Sequence, residues 1–318
     1  MKMLRNGFLW ALCFLAIWGI ALLGLFHQPA VHPPSDMAWM WAQKDLRKLV
    51  IPNNKTLLLS PSAGCNDVEG RKPFLVIIVC SAIPNFVARH TIRNTWGQFV
   101  KINNNVKMYF MIGKTDDVNL TSRVLKESEL YSDIIQEDFV DSYNNLTIKS
   151  VMLLKWVNNT CLDASYIMKT DDDMFVNIFN LINYLKKKGH TKLLLGCLIS
   201  GAVPVRDKHS KWYIPDSFFT ANVYPDYLSG TGYVFSTDIV PSLYQTALDM
   251  PFFYLEDVFI TGICASKLKL SRENHDGFKF YKRKNNPCIF RKIITSHKMS
   301  VKDLRSMWSS IQNKTYKC

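Results

Sequence analysis

Apolar and polar stretches alternate along the chain from residue 73 onward. Apolar runs typical of buried strands occur at 73–82, 107–113, 133–139, 166–168 and 192–200. Stretches that fit a helix lie between and after them, at 88–97, 146–157, 177–187 and 257–268. The alternation predicts an α/β domain with a largely parallel central sheet. In such sheets, ligands bind beyond the carboxyl ends of the strands.

A separate apolar segment precedes this pattern. Residues 8–26 include no charged side chain, and as a helix with ~1.5 Å rise per residue they would span most of a ~30 Å hydrocarbon core. Lys2 and Arg5 lie before the segment and the next cation is Lys44, which predicts a cytosolic amino terminus. We therefore predict a cytosolic tail at 1–7, a transmembrane anchor at 8–26, a lumenal stem at 27–70 and a catalytic domain at 71–318. A cleaved signal peptide is the alternative, although its apolar region is usually only about 7–15 residues long.

Composition and charge narrow the class of protein. The chain has 318 residues, of which 48% are hydrophobic, so it can bury a core and is not a disordered tail. The net charge is +13, and residues 266–318 hold most of the excess of basic over acidic side chains. This excess indicates a solvated surface near a membrane or an anion site. No zinc-finger spacing or aromatic RNA-binding signature supports a nucleic-acid partner.

Sequons and cysteines agree with a lumenal location. The candidate glycosylation sites, all after the anchor, are Asn54, Asn119, Asn145, Asn158 and Asn313. Seven cysteines also follow the anchor without a CxxC pair, so a zinc site is disfavoured. They predict up to three disulfides, whose pairing the sequence does not specify.

Three adjacent aspartates, Asp171, Asp172 and Asp173, follow the predicted strand at 166–168. Their carboxylates repel one another, and a divalent cation such as Mn²⁺ or Mg²⁺ would offset that repulsion. An acidic turn or helix cap is the alternative interpretation. The position after an apolar strand favours the metal site.

Each of the other candidate functional residues also has an ordinary structural interpretation. Glu256 and Asp257 lie at the start of a predicted helix. Either their negative charges interact favourably with the helix dipole, or one of the two is a general base. Arg89 and Arg93 are four residues apart and share one face if that stretch is helical. Several aromatic side chains are candidates for stacking on sugar or for the core, namely Trp96, Trp212, Tyr213 and Tyr233. Gly230 and Gly232 either allow close approach to a ligand or form a turn.

Seven motifs occur in an order that is similar to one family. They are RHTIRNTWG, FMIG, DIIQEDFVDSYNNLTIKS, YIMKTDDDMFVN, KWYIP, YPDYLSGTGYVFS and LEDVFITGIC. The chain resembles the β-1,3-galactosyltransferases, Golgi type II membrane enzymes whose family includes β-1,3-N-acetylglucosaminyltransferases. The resemblance extends over about residues 73–300.

The resemblance implies a GT-A-like domain, a UDP-sugar donor, and Mn²⁺ held by an Asp-X-Asp motif. It assigns Asp171, Asp173 and the late His297 to the metal, with Asp173 as direct ligand. Donor binding is assigned to Arg89, Arg93, Asp171, Asp172 and Glu256. Asp257 is the candidate catalytic base.

The resulting hypothesis is an inverting transfer of galactose from UDP-galactose to a terminal GlcNAc or GalNAc of a glycan. Galactosyl enzymes of this group often have Asp-Ser-Asp where this chain has three aspartates, so UDP-GlcNAc stays open as the donor. A non-catalytic, metal-dependent glycan-binding protein is the alternative from another class.

Overall fold

The computed structural model describes residues 45–61, 64–65, 70–313, 315 and 317–318. The predicted tail, the anchor at 8–26 and most of the predicted stem lie outside the described residues. Within the part that is described, no helix is both long and apolar enough to cross a membrane. The anchor stays a prediction.

A central sheet of eight strands organises the domain. The strands in chain order are β1 (Leu57–Leu59), β2 (Leu75–Cys80), β3 (Val106–Lys114), β4 (Ile134–Val140), β5 (Tyr166–Asp171), β6 (Phe175–Val176), β7 (Leu194–Ile199), β8 (Tyr227–Ser236), β9 (Glu273–Asn274) and β10 (Thr295–Ser296). Strands β6 and β10 form a separate two-stranded ladder. The order across the large sheet is β1-β4-β3-β2-β5-β8-β7-β9. Strands β4, β3, β2 and β5 run parallel, so the prediction of a largely parallel centre is confirmed.

Strand β8 differs from the predicted pattern. It is the longest strand described, it lies antiparallel to both β5 and β7, and the sequence did not predict it. Gly230 and Gly232 interrupt its apolar alternation and suggest a turn when the sequence is considered alone. In the structure both glycines lie inside the strand, and Gly232 pairs with Thr170 of β5.

Helices cover both faces of the sheet. The α-helices in chain order are α1 (Leu46–Val50), α2 (Phe86–Arg93), α3 (Phe99–Ile102), α4 (Val118–Tyr131), α5 (Leu146–Thr160), α6 (Ile178–Leu185), α7 (Val240–Asp249), α8 (Ala265–Lys267), α9 (Pro287–Phe290) and α10 (Val301–Gln312). A π-helix, Val258–Cys264, leads into α8 and lies within the helix predicted at 257–268. Alternate residues of β2 form one core with side chains of α2, α6 and α10. Helix α5 packs on α1, α7, β3 and β4, which explains why its predicted broad apolar face is buried.

The predicted stem contributes to the domain from residue 45 onward. Leu46 and Val50 of α1 are fully buried, and β1 pairs with β4. The ammonium of Lys155 donates to the carbonyls of Val50, Ile51 and Asn54 at 3.0–3.2 Å. The predicted boundary at residue 70 is therefore wrong, because this segment has a buried face and a sheet partner that a spacer lacks.

Two truncations test the corrected boundary. A secreted fragment 45–318 should fold, whereas 71–318 should aggregate or melt at least about 10 °C lower. The shorter fragment loses two buried side chains and leaves the Lys155 ammonium without its carbonyl acceptors, each change costing roughly 1–3 kcal/mol or more. Secretion yield and thermal unfolding followed by circular dichroism measure the difference. Equal melting of the two fragments would contradict the boundary.

Two disulfides connect distant segments. Cys65 pairs with Cys161 and Cys288 with Cys318. The remaining three of the seven cysteines after the anchor, Cys80, Cys197 and Cys264, are free thiols. The upper limit of three disulfides is thus not reached. Burial raises the pKa of the Cys80 and Cys264 thiols to about 12, so both are protonated at neutral pH.

The structure disfavours glycosylation at one of the five sequons. The side chain of Asn145 is buried, and its Nδ2 donates to the Val140 carbonyl at 2.8 Å. A glycan at Asn145 stays a prediction that this structure disfavours, because the amide that would carry the sugar is nearly fully buried and hydrogen-bonded. Asn54, Asn119 and Asn313 are exposed and Asn158 is half-buried, and their occupancy stays a prediction.

Candidate active site

The three predicted aspartates lie at the carboxyl edge of the sheet. Asp171 ends β5 and stands in register opposite Cys80, the last residue of β2. Lys169 Nζ donates to Asp171 Oδ1 at 2.7 Å. Burial raises the pKa of Asp171 to about 6, although the charge of Lys169 acts in the opposite direction. The edge predicted from the strand pattern therefore carries these carboxylates.

Asp172 is held by the segment that joins β2 to α2. Ser81 Oγ and Asn85 Nδ2 donate to Asp172 Oδ2 at 2.6 and 2.9 Å. Sequence reasoning missed both donors. Their position directly after a predicted buried strand was the available signal, because that is where this fold class binds ligands.

Asp173 and the late His297 come together. The pairing of β10 with β6 places His297 beside the aspartates, and His297 Nε2 lies 3.2 Å from Asp173 Oδ2. The other ring nitrogen, Nδ1, is 2.8 Å from the Phe280 carbonyl, which orients the ring. Burial tends to lower the pKa of His297, but the hydrogen bond and charge of Asp173 outweigh it and raise that pKa.

This pair offers one carboxylate oxygen and one imidazole nitrogen, a donor set that suits Mn²⁺. Within the described residues, no three or more His, Cys, Asp or Glu side chains form a group able to hold a metal. Asp171 Oδ1 is bound by Lys169, and the role of Asp171 as a third ligand beside Asp173 and His297 stays a prediction. Asp173 and His297 fit the metal implied by the resemblance, with further positions left to a ligand and water.

Asp257 lies across β8 from the aspartates. Its two carboxylate oxygens accept backbone N–H groups from Gly230 and Val258 at 3.0 and 2.9 Å. Burial, reinforced by the charge of Glu256, raises the pKa of Asp257 to about 6, against the lowering effect of those N–H groups. The half-buried carboxylate is thus oriented, ionised at neutral pH, and close to the pKa that suits a general base.

Glu256 lies behind Asp257, in the interior. Its side chain is buried, and Tyr233 Oη donates to Glu256 Oε1 at 2.7 Å. The assignment of Glu256 to donor binding is therefore corrected to a supporting role, since its carboxylate does not face solvent. Tyr233 is likewise a core residue, not a sugar-stacking one.

Lys169 connects these groups and was not predicted as a site residue. Its buried ammonium contacts Asp171, the Gly230 carbonyl and, at 3.6 Å, Glu256 Oε2. Burial alone would lower its pKa, but the charges of Asp171 and Glu256 raise the pKa of Lys169 well above its usual value. The ammonium is thus a fixed positive charge beneath the carboxylates.

Arg89 and Arg93 occupy one face of α2, as their spacing predicts, but that face is buried. Arg89 makes a bidentate contact with Glu127, and Arg93 bridges Glu127 and Asp133 at 2.7–2.8 Å. Neither guanidinium is open to a ligand, so direct donor contact is excluded in this structure. Arg89 also donates to Ser81 Oγ at 3.0 Å, which makes it a support for the residue that holds Asp172.

A cavity of about 400 Å³ opens over the ends of β2, β3 and β4, and its wall includes residues 82–84, which lie between the two residues that bind Asp172, Ser81 and Asn85. The wall also includes Lys114 at the end of β3 and Asp141 after β4. This is the position at which parallel sheets bind ligands. The cavity and the carboxylates together outline a site along one edge of the sheet.

The predicted aromatic residues divide between the core and the surface. Trp96 is buried and donates to the Met174 carbonyl at 2.9 Å, so it does not stack on sugar. Trp212 is half exposed, and so is Tyr143. The Lys211 ammonium lies 4.7 and 5.2 Å from their ring centres. Tyr254 Oη donates to the Tyr213 carbonyl and thereby ties this segment to the one that precedes Asp257.

Comparison with known proteins shows the family to which the chain is similar. A family model described as Galactosyltransferase matches residues 87–276. β-1,3-Galactosyltransferase 1 of Mus musculus is 39% identical over 259 residues, covering 79% of this chain and 78% of the relative. β-1,3-Galactosyltransferase 5 of Homo sapiens is 33% identical over 307 residues, covering 95% and 94%. Among solved structures, the bifunctional glycosyltransferase WbbM aligns with a TM-score of 0.44 and 11% identity, over 79% of this chain and 51% of that one.

Proposed function

Because this chain belongs to the galactosyltransferase family and is a glycosyltransferase, we propose that it transfers galactose from UDP-galactose to a glycan. The acceptor is the 3-hydroxyl of a terminal GlcNAc or GalNAc of a glycoprotein or glycolipid, and the product is a β-1,3 linkage. The names of the β-1,3-galactosyltransferase relatives support the donor and linkage. The domain is a GT-A-like nucleotide-sugar fold in this proposal, with the donor nucleotide in the cavity over the ends of β2, β3 and β4.

One observation carries the proposal. The half-buried carboxylate of Asp257 is held by two backbone N–H groups, and Asp173, two residues beyond the Lys169-bound Asp171, is paired with His297. The first arrangement suits proton abstraction and the second suits a charged leaving group. A transferase needs both, whereas a glycan-binding protein does not need the base.

The reaction follows from these positions. Asp257 accepts the proton of the acceptor hydroxyl while that oxygen attacks the anomeric carbon from the face opposite UDP. The new carbon–oxygen bond forms as the bond to the diphosphate breaks, and a single displacement inverts the α-linked donor. A divalent cation such as Mn²⁺, when bound, neutralises charge on the leaving diphosphate. Asp173 and His297 are the residues that would hold it.

The acceptor side is supported by the exposed aromatic residues. Trp212 and Tyr143 present ring faces on which the apolar face of a sugar can stack. Thr147 Oγ1 donates to the Phe253 carbonyl, so the helix after Tyr143 is attached to the segment before Asp257. These contacts favour an acceptor that enters past the two rings.

The proposal includes a lumenal location on a single-pass Golgi membrane protein. The apolar segment at 8–26, the basic residues before it and the exposed sequons support this location. The disulfides of Cys65 with Cys161 and Cys288 with Cys318 are typical of proteins that fold in an oxidising compartment.

A donor panel tests the function. Purified full-length protein should transfer sugar from UDP-galactose to a GlcNAc or GalNAc glycoside in the presence of Mn²⁺, with linkage and anomeric configuration assigned by NMR. Transfer from UDP-GlcNAc instead would replace galactose as the donor sugar. Metal-dependent glycan binding without any transfer would support the non-catalytic alternative and overturn the proposal.

Asp173→Ala should lower the Mn²⁺-dependent affinity for UDP by at least about tenfold without unfolding the domain. The diphosphate carries clustered charge, and the substitution removes one of two protein ligands that would hold the neutralising ion. Calorimetric titration of UDP with and without Mn²⁺ measures the change. Asp163→Ala, which removes an exposed carboxylate paired with Lys72, is the matched control. Unchanged affinity in Asp173→Ala would exclude the metal role.

A further inference from the structure

The Lys169 ammonium contacts two parts of the site. It binds Asp171, which lies next to the carboxylates assigned to donor and metal, and the Gly230 carbonyl of β8, the strand whose backbone holds Asp257. We propose that Lys169 is a positioning residue that sets the place of the Asp257 carboxylate through Gly230. The inference rests on the proposed function, because it assigns a role relative to the base of that reaction. It goes beyond that function by naming the group that orients the base.

The path from Lys169 to Asp257 has two hydrogen bonds. The ammonium donates to the Gly230 carbonyl, and the Gly230 N–H donates to Asp257 Oδ2 at 3.0 Å. The two groups belong to successive peptide units on either side of the Gly230 Cα, and the extended backbone of β8 holds the directions of both. Because Lys169 is only 3% exposed, water does not compete for its ammonium.

The close packing at Gly230 makes this path rigid. A Cβ at this position would lie 3.0 Å from Glu256 Oε2 and 3.1 Å from Asp257 Cβ. The absence of a side chain therefore allows β8 to approach Asp257 closely enough for the N–H contact. The glycine has a packing role at the base, where the sequence alone left a ligand approach or a turn as alternatives.

The same ammonium also binds Asp171, which lies next to the carboxylates assigned to donor and metal. Lys169 and Asp171 are held in one strand, and Gly230 belongs to the neighbouring one. A shift of Lys169 would therefore move the base relative to the donor side. Correct spacing between these two sides is what the transfer requires, since a displacement of about 1 Å can cost a hundredfold in rate.

Lys169→Met tests the role. The ammonium is lost at nearly equal length, so turnover should fall about 10- to 100-fold while affinity for UDP falls much less. The acid limb of the kcat/KM profile should also move to higher pH, because the charge of Lys169 lowers the pKa of Asp257. The fall in turnover at retained UDP affinity reports the positioning of Asp257, and the shift of the limb reports the charge of Lys169 acting on Asp257.

Lys155→Met is the matched control, because Lys155 is also a buried lysine that donates to backbone carbonyls, but at the end of α1 and in the segment that follows it. It should lower the melting temperature and keep the wild-type turnover and acid limb. Wild-type turnover and acid limb in folded Lys169→Met would overturn the inference.

Gly230→Ala gives a second measurement that does not remove the lysine. It displaces the peptide between Lys169 and Asp257, so turnover should fall at least tenfold with UDP affinity retained. If Lys169→Met does not fold, this variant decides, and wild-type turnover in it overturns the inference. Absence of transfer by the wild-type protein would instead overturn the proposed function, and this inference with it.

Discussion

Asp257→Asn should lower turnover by about 10² to 10⁴-fold while UDP binds with an affinity close to that of the wild type. The amide keeps the size of the side chain but cannot accept the acceptor proton. Loss of a group needed only in the transition state lowers kcat and kcat/KM together. Donor binding by calorimetry and transfer rates on the same preparation separate the two effects.

The pH profile gives an independent measurement of the same group. Because the pKa of Asp257 is raised to about 6, the base is ionised at neutral pH and becomes protonated as the pH falls through 6. Wild-type kcat/KM should therefore decline below about pH 6, and the decline should be weaker for the residual activity of Asp257→Asn, in which Asp171 still titrates near pH 6.

Asp249→Asn, at the end of α7, removes an exposed carboxylate paired with Arg47 and serves as the control. It should show wild-type turnover and the wild-type acid limb. Near-normal transfer by Asp257→Asn would rule out Asp257 as the base. An equal loss of UDP binding would place Asp257 in the donor site.

Glu127→Gln should lower the free energy of unfolding by about 3–5 kcal/mol. Glu127 is buried and accepts hydrogen bonds from both Arg89 and Arg93. Removing its charge leaves the Arg89 guanidinium, which is fully buried, without a carboxylate. The melting temperature and hydrogen exchange of the α2 and α4 amides should both report the loss.

Glu129→Gln, an exposed position on the same helix, is the control and should melt like the wild type. Burial would raise the pKa of Glu127, but its bonds to the two arginines lower it below the usual value. Its contribution to stability is therefore complete above the unfolded-state pKa and is lost as the pH falls through the folded value. The difference between Glu127→Gln and wild type should shrink in that acidic range. A constant difference would show that charge is not the cause.

The parallel centre of the sheet was predictable because β2 to β5 are buried on both faces. Strands that are buried on both faces appear in the sequence as continuous apolar runs, and such runs are typical of parallel sheets covered by helices. The same logic placed Asp171 at the carboxyl edge, and it would also have included Ser81, the residue after β2. The local sequence pattern was sufficient to predict those strands whose position is determined by the burial of their own side chains.

The contacts that complete the site depend on residues far apart in sequence. In the sequence, Lys169 looks like an ordinary strand residue, because its contact with Gly230 depends on the pairing of β8 with β5. Strand β8 itself was not predicted, because its glycines interrupt the apolar alternation. Tyr233 and Trp96 have the composition of sugar-binding residues, yet tertiary packing buries them. The face shared by Arg89 and Arg93 was predictable, but not the Glu127 carboxylate that buries it.

The change of strand direction at β5 has a consequence for how such a chain can diversify. The carboxylates on the donor side, and the residues that bind them, precede residue 174. Strand β8 and Asp257 follow residue 226. His297 is the one late residue that we assign to the donor side. Gene duplicates could therefore acquire new acceptors through substitutions in the later half and keep the earlier half intact. Lys169, which touches both halves, would be the position least free to drift between such paralogues.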